Sequence, residues 1–115
     1  MQLDIQENTT VGELSSQQQA LLTLDHLLEK VRQLHIHGDA ATSYVRSLLE
    51  KGPKKYGPKL LEESSELCEA AKRDDGKQRV VEEIADVVLH LFVLMQGQQV
   101  EIEDVAEELI KRRRS

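Results

Sequence analysis

The stretch over residues 80–95, VVEEIADVVLHLFVLM, limits what this chain can fold into more than any other. From Ile84 onward it is apolar on nearly every side of a helix, and such a helix belongs in the middle of a core. Asp86 and His90 interrupt it. At about 100° per residue, Glu83, Asp86 and His90 share a stripe of roughly 60°, with Val80, Ile84, Val87, Val88, Leu91, Leu94 and Met95 around it. A carboxylate stripe placed in a core needs a partner, because an unpaired carboxylate there would neutralise instead of staying charged.

The rest of the chain is short, with 115 residues in all. A single domain of that size buries only about two-thirds of its unfolded surface and gains from oligomerisation. Aromatics are 3% of the residues and Trp is absent, so the core is built from Leu, Val, Ile and Ala, a composition that favours an all-α bundle over a sheet sandwich. The formal net charge of −6 argues against nucleic acid and anionic membrane as partners, both being polyanions. An anionic small molecule would need a bridging cation. The single Cys68 excludes an intramolecular disulfide, and neither a secretory leader nor a membrane-length apolar run is visible. The expected setting is cytoplasmic.

Residues 1–14 carry no periodicity and read as an irregular arm before a domain over 15–115. Ser16 and Gln19 have the spacing of a capping box, and Leu21, Leu22, Leu24, Leu27, Leu28, Val31 and Leu34 continue at helical spacing to about His35 or Gly38. A short second helix carries Tyr44, Val45, Leu48 and Leu49 until Gly52 and Pro53 stop it, and 51–58 reads as a basic turn. A third helix is predicted from Pro58, a residue suited to a first helical position, to about Arg73, with Leu60, Leu67, Cys68 and Ala71 as its apolar side and Leu61 at the margin. After the Asp74-Asp75-Gly76 turn comes the central helix, from about 77 to 96. A last amphipathic helix from about 102 to 113 is expected to bury Ile102, Val105, Ala106, Leu109 and Ile110, its basic end complementing the helix dipole. About five helices result, with a four-helix core that dimerisation would complete.

The chemistry lies where the third helix meets the fourth. Glu63 and Glu66 are three apart on one helix and Glu83 and Asp86 three apart on the next, a spacing that shares a helical face. The short turn makes the helices antiparallel neighbours, with Glu66 and Glu83 the inner members and Glu63 and Asp86 the outer ones. Glu-rich helix faces are commonly only solvated surface. Converging carboxylates in an apolar helix pair repel one another unless a hard cation neutralises them, and an all-oxygen site suits Mg²⁺ or Mn²⁺ with substrate phosphate as a further ligand. Glu62 and Glu82 stand one residue before each motif, as outer-layer or solvated side chains, and His90 is either an outer-layer partner or a satisfied core histidine.

Glu63-Ser64-Ser65-Glu66 and Glu83-Ile84-Ala85-Asp86 resemble the paired motifs of the all-α nucleoside triphosphate pyrophosphohydrolases, the MazG-like superfamily. Ser43-Tyr44, Leu48-Leu49, Gly52, Lys55, Lys59, Ala70-Ala71-Lys72, His90-Leu91 and Glu103-Asp104-Val105 resemble, within it, the phosphoribosyl-ATP pyrophosphohydrolase family. Leu61 stands where that family usually has Gly, Val45 where it usually has Thr, and Gly57-Pro58 is an unusual insertion of residue types between the two lysines. The resemblance implies Mg²⁺-dependent cleavage of the α–β phosphoanhydride of phosphoribosyl-ATP in histidine biosynthesis, by a homodimer. It implies Glu63, Glu66, Glu83 and Asp86 as metal ligands and catalytic residues, and Lys55 and Lys59 as phosphate contacts. Two other classes fit the residues: a house-cleaning (d)NTP pyrophosphohydrolase, and a non-enzymatic helical adaptor using the acidic stripe as a surface. His35 and His37 point to different sides of a helix and make a poor zinc pair. Cys68 reads as a small core residue.

Overall fold

The computed structural model describes residues 14–113. The expected arm over 1–14 therefore lies, apart from Leu14, outside the described residues. Five helices and no strand are present among them: α1 (Ser16–His37), α2 (Tyr44–Lys51), α3 (Pro53–Lys72), α4 (Lys77–Gly97) and α5 (Ile102–Arg113). The chain divides into two compact units, one up to Ser47 and one from Leu48.

In the first unit the capping box that starts α1 sits one residue earlier than expected. Ser15 Oγ accepts from the Gln18 backbone N–H at 3.1 Å, and Gln18 Oε1 accepts from the Ser15 N–H at 2.9 Å. These two bonds satisfy otherwise orphaned donors reciprocally. Along α1 Val31 is buried, whereas Leu21 and Leu24 are exposed. The helix ends at Gly38, whose N–H donates to the Leu34 carbonyl. Ser43 Oγ then accepts from the Arg46 N–H at 3.1 Å, opening α2, and the Arg46 guanidinium donates back to the His35 carbonyl. That contact occupies the end of α1 where the two histidines lie.

The second unit is organised around α3 against α4, the extensively packed helix pair among the described residues. α3 begins at Pro53, not Pro58: Pro53 takes the first-turn position that needs no N–H, and Pro58 lies inside the helix. The basic stretch expected as a turn is thus helical beyond Gly52: Pro53 gives up no helical bond, whereas Pro58, the sixth residue of α3, leaves the Lys54 carbonyl without its usual i→i−4 donor and the helix continues past it. The buried side of α3 is Tyr56, Glu63 and Ala70. Cys68 and Ala71, expected inside, are exposed, because the helix turns its carboxylate Glu63 toward α4 instead.

Both α3 and α4 end in the same way. After α3, Asp74 takes a left-handed φ of 56°, its N–H reaches the Ala71 carbonyl at 3.2 Å, and the Asp75 N–H reaches the Ala70 carbonyl at 3.1 Å. After α4, Gln99 at φ 58° bonds to Gln96 and Val100 to Met95. This is the Schellman arrangement, which satisfies the last carbonyls. Gly76, at φ 100°, supplies the conformation that reverses the chain into α4. Near the other end of the pair, Tyr56 is 3% exposed and its hydroxyl accepts from Gln98 Nε2 at 2.6 Å. Gly97 makes room for it, because a Cβ there would stand 2.6 Å from the hydroxyl oxygen.

α4 is a core helix over only part of its length. Leu89, His90, Phe92, Val93 and Met95 are buried, but Val81, Ile84 and Leu91 are exposed. α5 corrects the sequence expectation more sharply: it has no buried residue, and Ile102, Val105, Leu109 and Ile110 are exposed, as is Ala106. Its amphipathic stripe has the right period, yet none of its apolar side chains is buried among the described residues. No helix among the described residues is long and apolar enough to cross a membrane.

Candidate metal centre

The turn over 74–76 folds α4 back along α3, so residues at like distances from it meet. Glu63 and Glu83 are buried, with 7% and 2% exposure. Together with Asp86 they offer carboxylate oxygens that all lie within 4.8 Å of one another. Asp86 is exposed, contrary to the expectation of a buried carboxylate. Its own exposure opens the cluster to solvent on the Asp86 side.

Each buried glutamate is contacted by a cation four residues earlier on its own helix. Lys59 Nζ lies 3.4 Å from Glu63 Oε1 and 3.5 Å from Glu62 Oε1. Arg79 Nη2 lies 2.6 Å from Glu83 Oε1, and its Nη1 lies 3.7 Å from Glu82 Oε1. Glu62 and Glu82 are thus exposed outer carboxylates held by the same cations. The second oxygen of Glu83, Oε2, is buried without a hydrogen-bond partner. A charged oxygen in that condition carries the full cost of lost solvation, which a divalent cation would remove. The donor set therefore fits a hard metal ion: three carboxylates, two of them buried, with one buried oxygen unclaimed.

Glu66 is exposed and outside this tight group. It feels the cluster nonetheless. Its carboxyl is held above the ordinary value by the charge of Glu63 first, then by partial desolvation and by Glu83 and Glu62, with Lys59 opposing. Lys55 is exposed one helical turn before Lys59, and that spacing puts it on the same side of α3 as Glu62, Glu63 and Glu66. His90 is buried, and its Nδ1 lies 2.6 Å from the Asp86 backbone carbonyl. Because a carbonyl only accepts, Nδ1 carries the proton. Through this bond the histidine braces the helix at Asp86. Arg79 escaped the sequence reading, although its spacing from Glu83 repeats that of Lys59 from Glu63. That repeat was the available signal.

Among known proteins, the chain is similar to the phosphoribosyl-ATP pyrophosphatase of Azorhizobium caulinodans, 42% identical over 87 residues that make up 76% of this chain and 79% of the relative. It is similar to the protein of that name from Sulfurisphaera tokodaii at 44% over 70 residues, 61% of this chain and 73% of the other. It also matches the histidine biosynthesis bifunctional protein HisIE of Oceanobacillus iheyensis at 40% over 83 residues, 72% of this chain but 38% of that longer protein. The family model described as phosphoribosyl-ATP pyrophosphohydrolase matches residues 22–113. Since that match runs through both helices of the carboxylate cluster, the chain belongs to the phosphoribosyl-ATP pyrophosphohydrolase family.

Proposed function

We propose that this protein is a cytoplasmic, Mg²⁺-dependent pyrophosphohydrolase, with Mn²⁺ able to substitute, that cleaves the α–β phosphoanhydride of phosphoribosyl-ATP. The products are phosphoribosyl-AMP and pyrophosphate, the step named for its relatives in histidine biosynthesis. The single observation that carries the reading is the meeting of Glu63, Glu83 and Asp86 oxygens within 4.8 Å, with buried Glu83 Oε2 lacking any partner, in a chain of this family.

In this reading Glu63, Glu83 and Asp86 would hold the metal together with Glu66, which stands outside their tight group but feels the charges of Glu63 and Glu83, and the domain spans residues 15–115. When bound, the ion supplies charge neutralisation for the triphosphate and polarises a water for in-line attack. The chain's own groups do the rest. Lys59 and Lys55, in line on α3, bind substrate phosphate. One glutamate of the cluster takes the proton from the attacking water. The exposed side at Asp86 gives the substrate its approach, while buried Glu63 and Glu83 fix the inner wall.

The exposed apolar residues Leu61, Val81, Ile84 and Leu91, together with those of α5, support a homodimer in which a second copy covers these faces. Light scattering at micromolar concentration should show at least a dimer, and a monomer alone would contradict this part. For the activity, the gene should restore growth without histidine to a strain lacking phosphoribosyl-ATP pyrophosphohydrolase. A well-expressed protein that fails to do so and instead hydrolyses dNTPs would move the assignment to a house-cleaning enzyme.

A further inference from the structure

Residues 59–66 read KLLEESSE and residues 79–86 read RVVEEIAD. Each is a cation, two apolar residues, two glutamates, two spacers and a third carboxylate, on successive helices. The ionic contacts repeat with the sequence. In both copies the first glutamate is exposed and the second buried, and the cation reaches both, at 3.5 and 3.4 Å from Lys59 and at 3.7 and 2.6 Å from Arg79. The contact to each buried glutamate is with Oε1. In Glu83 the other oxygen, Oε2, is buried and unpartnered.

A carboxylate with both oxygens available can clasp a cation with the pair. One whose Oε1 is tied to a guanidinium at 2.6 Å presents a single oxygen. Ca²⁺ tolerates many ligands and readily takes both oxygens of a carboxylate, whereas Mg²⁺ demands near-ideal octahedral geometry and keeps its waters. We propose that Arg79, with Lys59 as its counterpart on α3, is a positioning residue that makes Glu83 and Glu63 one-oxygen ligands and so selects a small octahedral cation, Mg²⁺ or Mn²⁺, against Ca²⁺. This selection rests on the metal site of the proposed function. It goes beyond that site by giving the two half-exposed cations a task before any substrate arrives.

The test is calorimetric titration of the purified full chain, freed of metal, with Mn²⁺ and separately with Ca²⁺. Wild type should prefer Mn²⁺. Arg79→Met should reduce that preference by about ten-fold, the lower end of what outer-layer partners of metal ligands contribute, whereas Arg79→Lys, which keeps a donor for Oε1, should retain most of it. Lys59→Met should move the ratio the same way and carries the test should Arg79→Met fail to fold by circular dichroism. An unchanged Mn²⁺ to Ca²⁺ ratio, or an equal loss of both affinities, in the folded variant would overturn the selection while leaving the metal site standing. Wild type that binds neither ion would overturn the metal site itself.

Discussion

Glu83→Gln separates a metal ligand from a structural carboxylate better than any other single change. Wild-type Glu83 is 2% exposed, its Oε1 meets Arg79 at 2.6 Å and its buried Oε2 has no hydrogen-bond partner. The substitution keeps the shape and removes one of three charges gathered within 4.8 Å. At an effective dielectric near 20, repulsion at that spacing is on the order of 3 kcal/mol per pair, reduced here because Asp86 is open to solvent. Losing the charged contact with half-exposed Arg79 offsets part of the relief, so the metal-free variant should lie within about 1 kcal/mol of wild type, on the stable side. Metal should reveal the difference. A cation bound only by the folded state adds about 2.7 kcal/mol at a hundredfold excess over Kd, and in a domain of this size about 1 kcal/mol moves Tm by roughly 4 °C. Wild type should therefore melt roughly 10 °C or more higher with saturating Mn²⁺ than after chelation, and Glu83→Gln should show almost no shift. Scanning calorimetry with and without metal reads both numbers. A variant that is destabilised without metal yet keeps the full metal shift would refute the reasoning and make Glu83 a structural residue.

Gly97→Ala places a Cβ 2.6 Å from the Tyr56 hydroxyl oxygen and should cost about 1–3 kcal/mol by overpacking. Adding Tyr56→Leu should recover part of that loss in urea titrations, the two residues being in contact. For Glu66 the folded-state carboxyl is raised above 4.5, so its contribution to metal-free stability is complete below that value and lost as pH rises through the folded one. Compared with Glu66→Gln in chelator, wild type should lose relative stability over that rise, and titrations across pH 4 to 7 that run parallel would contradict it. Lys59→Ala should raise KM more than it lowers kcat in steady-state kinetics, because a phosphate contact made equally in ground and transition states acts on binding; a pure kcat loss would place Lys59 in the chemistry.

The paired acidic motifs were legible because helical spacing and one short turn fix which side chains meet. Glu63, Glu83 and Asp86 come together on helices whose type and order the hydrophobic period announces. The depth of each carboxylate was not legible. An all-apolar helix suggests burial for everything on it, yet Asp86 is exposed while Glu83 is not, since which side of α4 faces α3 depends on packing and not on composition. The start of α3 was obscured by two prolines, either of which suits a first turn; Pro53 takes that place and Pro58 lies within the helix. For α5 the amphipathic pattern located the helix at Ile102–Arg113, but a pattern cannot say whether the partner of an apolar stripe lies in the same chain. Arg79 was missed for a different reason. Its spacing from Glu83 repeats that of Lys59 from Glu63, but an i, i+4 ion pair is ordinary on a helix surface, and the burial of Glu83 is what gives this one weight.

The most direct measurement is the rate of pyrophosphate release by the purified protein, with Mg²⁺ and after chelation, from phosphoribosyl-ATP and from the common dNTPs at equal concentration. The expected result is release from phosphoribosyl-ATP that depends on Mg²⁺, far exceeds that from any dNTP, and falls to near background in Glu83→Gln and Asp86→Asn. Release from dNTPs in preference to phosphoribosyl-ATP would contradict the substrate. Full activity in the two carboxylate variants would contradict the site.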